Sequence, residues 1–406
     1  MGITTGEYDV IVLGGGPTGV SAAISAAKTG ARTAIVERYG YLGGQATGGL
    51  VILLVGLTNG KERIIKGFCE ETINRLTELG ATRDVGRHVL FDPESMKYVF
   101  DLMIEENNVT PYYHTFVSGV IKEENRVSGV ITESKSGTRV FKAKMFVDAT
   151  GDGDLAKYCE LPFDIEQVEN RLPVTLGFRV GGIDTASMSK FIRENREFYQ
   201  NLLNKHGIST KMGGWVPTMH SYEAWFNIST IENIDITDAN DLTKAEIIGR
   251  RQIQHIIKAF REVIPGFEQG YLIDTASQIG VRDSRRIRGM YHFTQKDVTR
   301  TSDDVIALAP DYTDSGRGFV QVPYGCLVSK ESENVIFAGR CISVEHKLLD
   351  MFREIPCCMA TGQAAGIAAA YAAGRTGNLH TVDIKAVHET LLSQGAKLSH
   401  LLHVKT

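Results

Sequence analysis

Residues 8–37 read YDVIVLGGGPTGVSAAISAAKTGARTAIVE, and this stretch decides the fold of the chain. The short β-branched run Val10–Leu13 stops at glycines, which predicts a buried parallel strand. Gly14, Gly16 and Gly19 follow with G-x-G-x-x-G spacing. In that spacing the glycines allow a tight turn, close approach of a pyrophosphate and close packing of helix on strand. A small-residue helix and a second strand then complete a βαβ unit.

Glu37 ends the second strand, about 20 positions after Gly14, where dinucleotide-binding units place an acid that accepts hydrogen bonds from a ribose hydroxyl. Its charge argues against a 2′-phosphate there, because two neighbouring negative charges repel. An ordinary strand-turn-helix without a ligand is the alternative. The strand, the helix and the terminal acid are all present in order, so we expect a dinucleotide site.

Composition limits the class of protein. The chain has 406 residues, of which 43% are hydrophobic and 23% charged, with a net charge of −4. We therefore expect a soluble protein of two domains, without affinity for nucleic acid or an anionic membrane surface. The first residues lack the basic and apolar segments of a signal peptide, which favours a cytoplasmic location. Six cysteines without C-x-x-C or metal-ligand spacing predict reduced thiols and no metal site.

A glycine-rich, apolar segment follows the second strand. Residues 38–60 read RYGYLGGQATGGLVILLVGLTNG. Gly43 and Gly44 suggest backbone lying against a ligand, with Gln45 and Thr47 as polar contacts. The alternative, a glycine-rich turn before a buried strand, stays open.

Other patterns predict regular elements. Helical periodicity indicates helices near Lys61–Leu79 and Pro93–Asn107, and the alanine-rich window Ile355–Ala373 predicts a buried helix rather than a membrane span. Period-two alternation predicts a three-stranded antiparallel meander over Val117–Ile121, Val127–Glu133 and Thr138–Phe141. A separate apolar strand from about Lys144 then runs into the turn ATGDGD at residues 149–154.

Six motifs, taken in order, resemble one family of bacterial flavoproteins. They are GGQATGGL at 43–50, VDATGDGD at 147–154, GVRDSRRIRG at 280–289, PYGCL at 323–327, FAGRCIS at 337–343 and CMATGQAAGIAAA at 358–370. The family is the FAD-dependent oxidoreductase family, whose FAD domain is of the glutathione-reductase type. The resemblance implies an α/β fold in which residues 1–160 and 323–406 form a Rossmann FAD-binding domain of parallel sheet and β-meander. Residues 161–322 would form an inserted α+β substrate domain.

The resemblance also implies which residues contact FAD. Gly14, Gly16 and Gly19 would face the pyrophosphate, and Glu37 the adenosine ribose. Thr361–Gln363, taken as a helix start, would direct N–H groups at the flavin C2 oxygen. The full expected set is Gly14, Gly16, Pro17, Thr18, Gly19, Glu37, Arg38, Gly43, Gly44, Gln45, Thr47, Val117, Ala149, Thr150, Gly151, Asp152, Arg285, Gly339, Arg340, Thr361, Gly362 and Gln363.

Two departures from the family pattern matter. Many relatives end the late strand in glycine-aspartate, whereas this chain has Arg340, whose guanidinium could meet phosphate or the flavin pyrimidine edge. Residues 42–50 contain no histidine for a covalent link, which favours noncovalent FAD, with His114 and His346 as the exceptions to watch.

The predicted second domain contains strands at Pro173–Val180 and Ala224–Ile228 and helices at Ile183–Leu203 and Thr243–Val263. Four arginines crowd its motif at 280–289 and cannot all be buried unpaired. Two interpretations stay open: a clamp for a substrate or an FAD phosphate, or a solvated turn paired with nearby acids. Residues 282 and 285 are the better candidates for a clamp, since they follow an apolar entry. We therefore predict that Arg282 and Arg285 belong to the active site.

The loop from Cys341 to Glu354 supplies the remaining catalytic candidates, which are Glu345, His346 and Arg353. His346 is our choice for general base or hydrogen-bond donor, because its ordinary pKa is near neutral. A surface histidine is the alternative. A second nucleotide fingerprint and a C-x-x-C motif are both absent from the sequence, so neither an NAD(P)H domain nor a disulfide reductase is indicated.

The predicted function is two-electron hydride transfer between a small polar metabolite and noncovalently bound FAD. The alternatives are an NAD(P)H- or oxygen-using flavin reductase or monooxygenase, and a non-catalytic flavoprotein subunit of a redox complex. The expected partners are a small-molecule substrate and an electron acceptor or donor that the sequence leaves unknown. A homo-oligomer stays open.

Overall fold

A computed structural model describes residues 3–208, 214–313 and 315–398 of the chain. The main sheet has seven strands within these residues. In chain order, the strands as far as the end of the meander are β1 (Ile3–Leu13), β2 (Thr33–Val36), β3 (Leu53–Leu54), β4 (Thr82–Val85), β5 (His88–Phe91), β6 (Thr110–Tyr112), β7 (Phe116–Glu123), β8 (Arg126–Ser134) and β9 (Gly137–Asp148). The remaining strands are β10 (Phe163–Asp164), β11 (Phe178–Gly181), β12 (Trp215–Pro217), β13 (Glu223–Phe226), β14 (Tyr271–Thr275), β15 (Arg286–Ile287), β16 (Val305–Pro310), β17 (Phe319–Pro323) and β18 (Val335–Phe337).

The helices are α1 (Pro17–Lys28), α2 (Gly44–Thr47), α3 (Phe68–Glu78), α4 (Pro93–Glu106), α5 (Asp154–Tyr158), α6 (Thr185–Glu194), α7 (Arg196–Lys205), α8 (Ala239–Val263), α9 (Leu349–Phe352), α10 (Ile355–Gly374) and α11 (Ile384–Ser393). No helix within the described ranges combines the length and apolarity needed to cross a membrane.

The main sheet is parallel at its centre. β6, β2, β1 and β9 pair in that order and all run in parallel, and β18 joins β9 in parallel as well. β9 continues into the antiparallel meander β7-β8-β9, so one long strand belongs to both parts of the sheet. The meander is confirmed. The apolar strand predicted from Lys144 is present, but it is the end of the third meander strand, because β9 is continuous from Gly137 to Asp148.

Helix α10 packs directly on helix α1. A Cβ atom on Gly362 would lie 2.3 Å from the Thr18 carbonyl oxygen, and one on Gly366 would lie 2.0 Å from the Ala22 carbonyl oxygen. Small residues therefore let the two backbones touch beneath the sheet. The predicted buried helix at Ile355–Ala373 is confirmed, and most of its residues are buried.

A second sheet lies farther along the chain. Its four strands follow the order β12-β13-β11-β14 and are all antiparallel, with α8 packed nearby. The single helix predicted over Ile183–Leu203 is instead α6 and α7, which meet at Asn195. The helix predicted over Lys61–Leu79 was also too wide, because it begins only at Phe68, after Gly67 at φ +64°.

Candidate cofactor and active site

One elongated cavity opens at the carboxyl ends of β1 and β9, where the first turn begins. Gly14 has φ +95°, and a Cβ there would lie 2.5 Å from the Ala149 carbonyl oxygen. A Cβ on Gly19 would lie 1.8 Å from the Gly14 carbonyl oxygen. By contrast, a Cβ on Gly16 would meet no atom within 4 Å, and Gly16 lines the cavity. Gly14 and Gly19 therefore permit the tight packing, and Gly16 leaves room for a ligand against the backbone.

Glu37 lies buried at one end of this cavity. Its Oε2 accepts a hydrogen bond from the Gly15 N–H at 2.6 Å, and its Oε1 accepts one from the Tyr39 N–H at 2.8 Å. Burial raises the pKa of Glu37, and the two backbone donors oppose that rise. Arg38 and Val117 line the same cavity.

The glycine-rich segment at residues 38–60 contains residues that line the cavity and residues that shape the turn behind it. Gly44 and Gln45 line the cavity, and the Gln45 side-chain amide donates to the Ile279 carbonyl oxygen at 3.1 Å. Gly43, at φ +102°, precedes α2, and the buried Thr47 hydroxyl donates to the Leu42 carbonyl oxygen at 2.7 Å. Gly43 and Thr47 therefore shape the turn behind the cavity wall.

The turn after β9 carries a charged cluster. Ala149, Thr150, Gly151 and Asp152 line the cavity, together with Pro17, Thr18, Arg340 and Asp154. Arg340 Nη2 donates to Asp152 Oδ1 at 2.6 Å, while its buried Nη1 has no hydrogen-bond partner among the described residues. Arg285 lies behind this wall and donates to the Asp152 carbonyl oxygen and to Asp154 Oδ1, each at 3.1 Å. Burial, with Asp152 and Asp148 nearby, raises the pKa of Asp154 to about 7.

The amino end of α10 reaches the cavity through Glu354, Ile355 and Cys358. This helix begins at Ile355, six residues before the helix start that the family resemblance implied, so Thr361–Gln363 do not form a helix start. Thr361 Oγ1 accepts from the Gly339 N–H at 3.1 Å, and Gln363 Oε1 accepts from the Phe68 N–H at 3.2 Å. Thr361 and Gln363 lie in the interior of α10 and do not line the cavity.

Arg282, Arg353 and Glu354 lie together at the cavity wall. Arg282 Nη1 donates to the Pro173 carbonyl oxygen at 2.7 Å, and burial lowers the pKa of Arg282 to about 10, helped by the charge of Arg353. Burial raises the pKa of Glu354 to about 7, against the opposing charge of Arg353. The group therefore combines two cations with an acid that can exchange a proton near neutral pH.

The structure places Glu345 and His346 apart from the cavity lining. Glu345 accepts from the Gln295 N–H at 3.0 Å and pairs with Lys347 at 2.9 Å. His346 Nε2 lies 2.6 Å from Oδ2 of Asp283, whose side chain is fully buried. Asp283 also pairs with Arg286 at 3.1 Å, and the His346 interaction helps to lower the pKa of Asp283. His346 is therefore part of a buried charged network.

These features fit a dinucleotide that carries a flavin. Gly16 leaves space beside the backbone, Arg340 offers an unused donor, and the amino end of α10 faces the same cavity. A model of the family described as FAD dependent oxidoreductase matches residues 9–391. The chain belongs to this family. Its cofactor is FAD.

Known proteins match the chain in part. It is 31% identical over 153 residues to the soluble pyridine nucleotide transhydrogenase of Chromohalobacter salexigens, covering 36% of this chain and 31% of that protein. It is 29% identical over 155 residues to the thiamine thiazole synthase of Methanococcus vannielii, covering 36% of this chain and 56% of that protein. The chain thus spans less than two thirds of the length of either relative.

A solved structure supports the fold alone. The geranylgeranyl bacteriochlorophyll reductase-like protein of Thermoplasma acidophilum is 13% identical, with a TM-score of 0.50, covering 97% of this chain and 85% of that chain. The mixed α/β architecture with a parallel, Rossmann-like core agrees with that similarity.

Sequence reasoning missed several residues of the FAD-dependent oxidoreductase cavity. Among them are Tyr39, Thr115, Phe116, Asp154, Thr175, Asn227, Glu246, Gln278 and Glu354. For Glu354 a signal existed: Pro356 favours the first helical turn, which places the preceding residues at the helix start. For Asn227 and Glu246 the sequence carries no such signal, because the second sheet and α8 reach the cavity only through tertiary packing.

Proposed function

We propose that this FAD-dependent oxidoreductase transfers a hydride between a small polar metabolite and noncovalently bound FAD. The observation that carries the proposal is the continuation of the cavity beyond the βαβ unit to Arg282, Arg353 and Glu354. A cofactor with a purely structural role needs no charged cavity beside it. Cationic donors and a near-neutral acid suit a polar substrate that loses or gains a proton together with the hydride.

Bound FAD supplies two-electron chemistry, and the chain supplies position and proton transfer. In this proposal Gly14, Gly16, Arg340 and the turn after β9 hold the pyrophosphate, and Glu37 holds the adenosine ribose. Residues at the start of α10 lie at the flavin, so they take the role first expected for Thr361–Gln363. Arg282 and Arg353 orient the substrate. Glu354 exchanges its proton, a role that the sequence had suggested for His346.

Two alternatives remain. A flavin reductase or monooxygenase would draw on NAD(P)H or oxygen, and a subunit of a redox complex would pass electrons to a partner protein. The single G-x-G-x-x-G motif of the sequence favours the first proposal over an NAD(P)H-dependent enzyme. The substrate, the electron acceptor or donor and any homo-oligomer are likewise proposals.

We further propose a glutathione-reductase-type FAD domain, formed by residues 1–160 and 323–406, with an inserted α+β substrate domain at 161–322. Support comes from the β7-β8-β9 meander and from β18, which pairs with β9 in the main sheet although it follows the second sheet in the chain. We also propose a cytoplasmic location, which suits six cysteines that are all free.

Absorption spectroscopy before and after acid precipitation tests the cofactor binding. We expect yellow protein whose flavin is released into the supernatant as FAD. Flavin that stays with the pellet would mean a covalent link. Anaerobic bleaching of the flavin by hydroxy acids, polyols or amino acids would support the enzyme, whereas bleaching only by NAD(P)H would favour the reductase.

A further inference from the structure

We propose that the substrate is a small 2-hydroxycarboxylate, whose carboxylate binds Arg282 and Arg353 while Glu354 takes the proton of its hydroxyl group. This inference rests on the proposed function and names the substrate class for the same cavity. It follows from the charges of these three residues and from those of their donors and acceptors that have no partner among the described residues.

The Arg282 guanidinium has N–H donors without a partner among the described residues. Among the described residues its guanidinium makes one hydrogen bond, from Nη1 to the Pro173 carbonyl oxygen at 2.7 Å. Only 8% of the residue is exposed, and its other nitrogens are not among the fully buried atoms that lack a partner, so they open onto the cavity that Arg282 lines. A buried guanidinium with unused donors calls for an acceptor, and a carboxylate fits its planar fork.

Arg353 adds a second cation to the same wall. Its Nε donates to Asp350 Oδ1 at 2.8 Å, and its Nη2 lies 2.6 Å from the same oxygen in a salt bridge that holds the guanidinium in place. Arg282 itself forms no salt bridge with any described acid, although Glu354 lines the same cavity. Arg282 is therefore left without a directly paired acid among the described residues, and the carboxylate of an anionic substrate would pair with it.

Glu354 supplies the proton acceptor. Its side chain makes no hydrogen bond or salt bridge with the described residues, so it is available to a ligand. Burial raises its pKa to about 7, which lets the carboxyl group exchange a proton under neutral conditions. It directly precedes α10, whose amino end lies at the cavity with Ile355 and Cys358.

The reaction balances with these groups alone and FAD. The C–H bond at carbon 2 breaks, and its hydride, with both electrons, goes to FAD. The O–H bond breaks, its proton goes to Glu354, and a carbon–oxygen double bond forms. The hydroxy acid is oxidised to a 2-oxo acid by two electrons, and FAD is reduced by two.

Calorimetric titration of the FAD-loaded protein tests the carboxylate clamp without turnover. The probes are pyruvate, oxaloacetate and 2-oxoglutarate, with uncharged pyruvamide as the matched control. We expect at least one carboxylate to bind, and pyruvate to bind about 10-fold more tightly than pyruvamide, the scale of a hydrogen bond between charged groups. Equal binding of pyruvate and pyruvamide, or no binding by any of the three carboxylates, would overturn the inference.

Substitutions locate the clamp. Arg353→Gln should remove most of the preference for carboxylate, and Arg282→Gln should do the same. Because Arg282 is buried and its variant can fail to fold, Arg353→Gln decides the result. Arg288→Gln is the matched control, since that side chain is 64% exposed, pairs with Asp164 and lies outside the cavity lining. An unchanged preference in Arg353→Gln would overturn the assignment.

Anaerobic stopped-flow reduction separates this inference from the proposed function. Lactate, malate and 2-hydroxyglutarate should bleach the flavin, and Glu354→Gln should slow the bleaching about 100-fold at equal FAD content. Bleaching by glycerol or by amino acids, with none by hydroxy acids, would overturn the substrate class and leave hydride transfer standing. Failure of every small molecule to bleach the flavin would remove the proposed function as well.

Discussion

The Arg340 guanidinium donates a hydrogen bond to Asp152 across 2.6 Å and so joins the segment after β18 to the turn after β9. The two residues are 188 positions apart in the chain and meet at the cavity wall. The Arg340 cation therefore lies against the Asp152 carboxylate, and this pair sets the charge of that part of the cavity wall.

Arg340→Gln should weaken FAD binding about 10- to 100-fold, the effect of losing hydrogen bonds to a charged group. The variant removes the unused Nη1 donor and leaves Asp152 without its partner. Fluorescence quenching of FAD by deflavinated protein measures the Kd. Arg288→Gln serves as the control and should leave the Kd unchanged. Equal Kd values for the two variants would contradict a role for Arg340 in cofactor binding.

Gly362→Ala should lower the free energy of unfolding by about 1–3 kcal/mol, because the new methyl group would press on the Thr18 backbone. Gly374 ends the same helix, and a Cβ there would meet open space. Gly374→Ala should therefore leave stability within about 1 kcal/mol of the parent. Denaturant unfolding of both variants measures the difference, and similar midpoints would show that the contact of α1 and α10 tolerates a methyl group.

Glu354→Gln should raise the stability of the FAD-free protein at alkaline pH. Burial raises the folded-state pKa to about 7, above the ordinary value of 4.5, so the folded state holds a proton that the unfolded state releases. Stability is therefore lost as the pH rises from about 4.5 to about 7, and the variant escapes this loss. Unfolding at several pH values should show the variant's advantage grow across that window.

Glu345→Gln provides a control of opposite sign. The Lys347 ammonium lowers the pKa of Glu345, so the pair stabilises the fold at neutral pH and loses its effect as the pH falls. Because 33% of the Glu345 side chain is exposed and solvent screens the pair, the loss in Glu345→Gln should be within about 1 kcal/mol. A Glu354→Gln variant that followed the same direction as Glu345→Gln would show that burial of Glu354 does not govern its titration.

His346→Gln should lower the free energy of unfolding by about 1.5–3 kcal/mol, because it removes the imidazole that pairs with the buried Asp283 carboxylate. We expect flavin reduction to change little at equal FAD content, since His346 lies outside the cavity lining. Lys347→Gln, at the next and exposed position, controls for the loop. A His346→Gln variant of normal stability whose flavin reduction is about 100-fold slower would assign the proton transfer to His346 instead.

Local patterns were sufficient for much of the fold. The glycines at 14, 16 and 19, the meander and the alanine-rich helix are set by backbone sterics and by the periodicity of apolar residues, which a sequence displays directly. Bounds were less accurate where one residue changed the backbone, as at Gly67 and Asn195.

The sequence by itself determined the βαβ unit, the family and the FAD cofactor, because each of the motifs that indicate them is formed by residues close together in the chain. The tertiary structure alone decided which charged side chains share the cavity. Arg282 and Glu354 are far apart in sequence, and their neighbourhood depends on how the second sheet and α10 pack on the main sheet. Burial, which only tertiary packing produces, raises the pKa of Glu354. The same packing brings His346 next to Asp283.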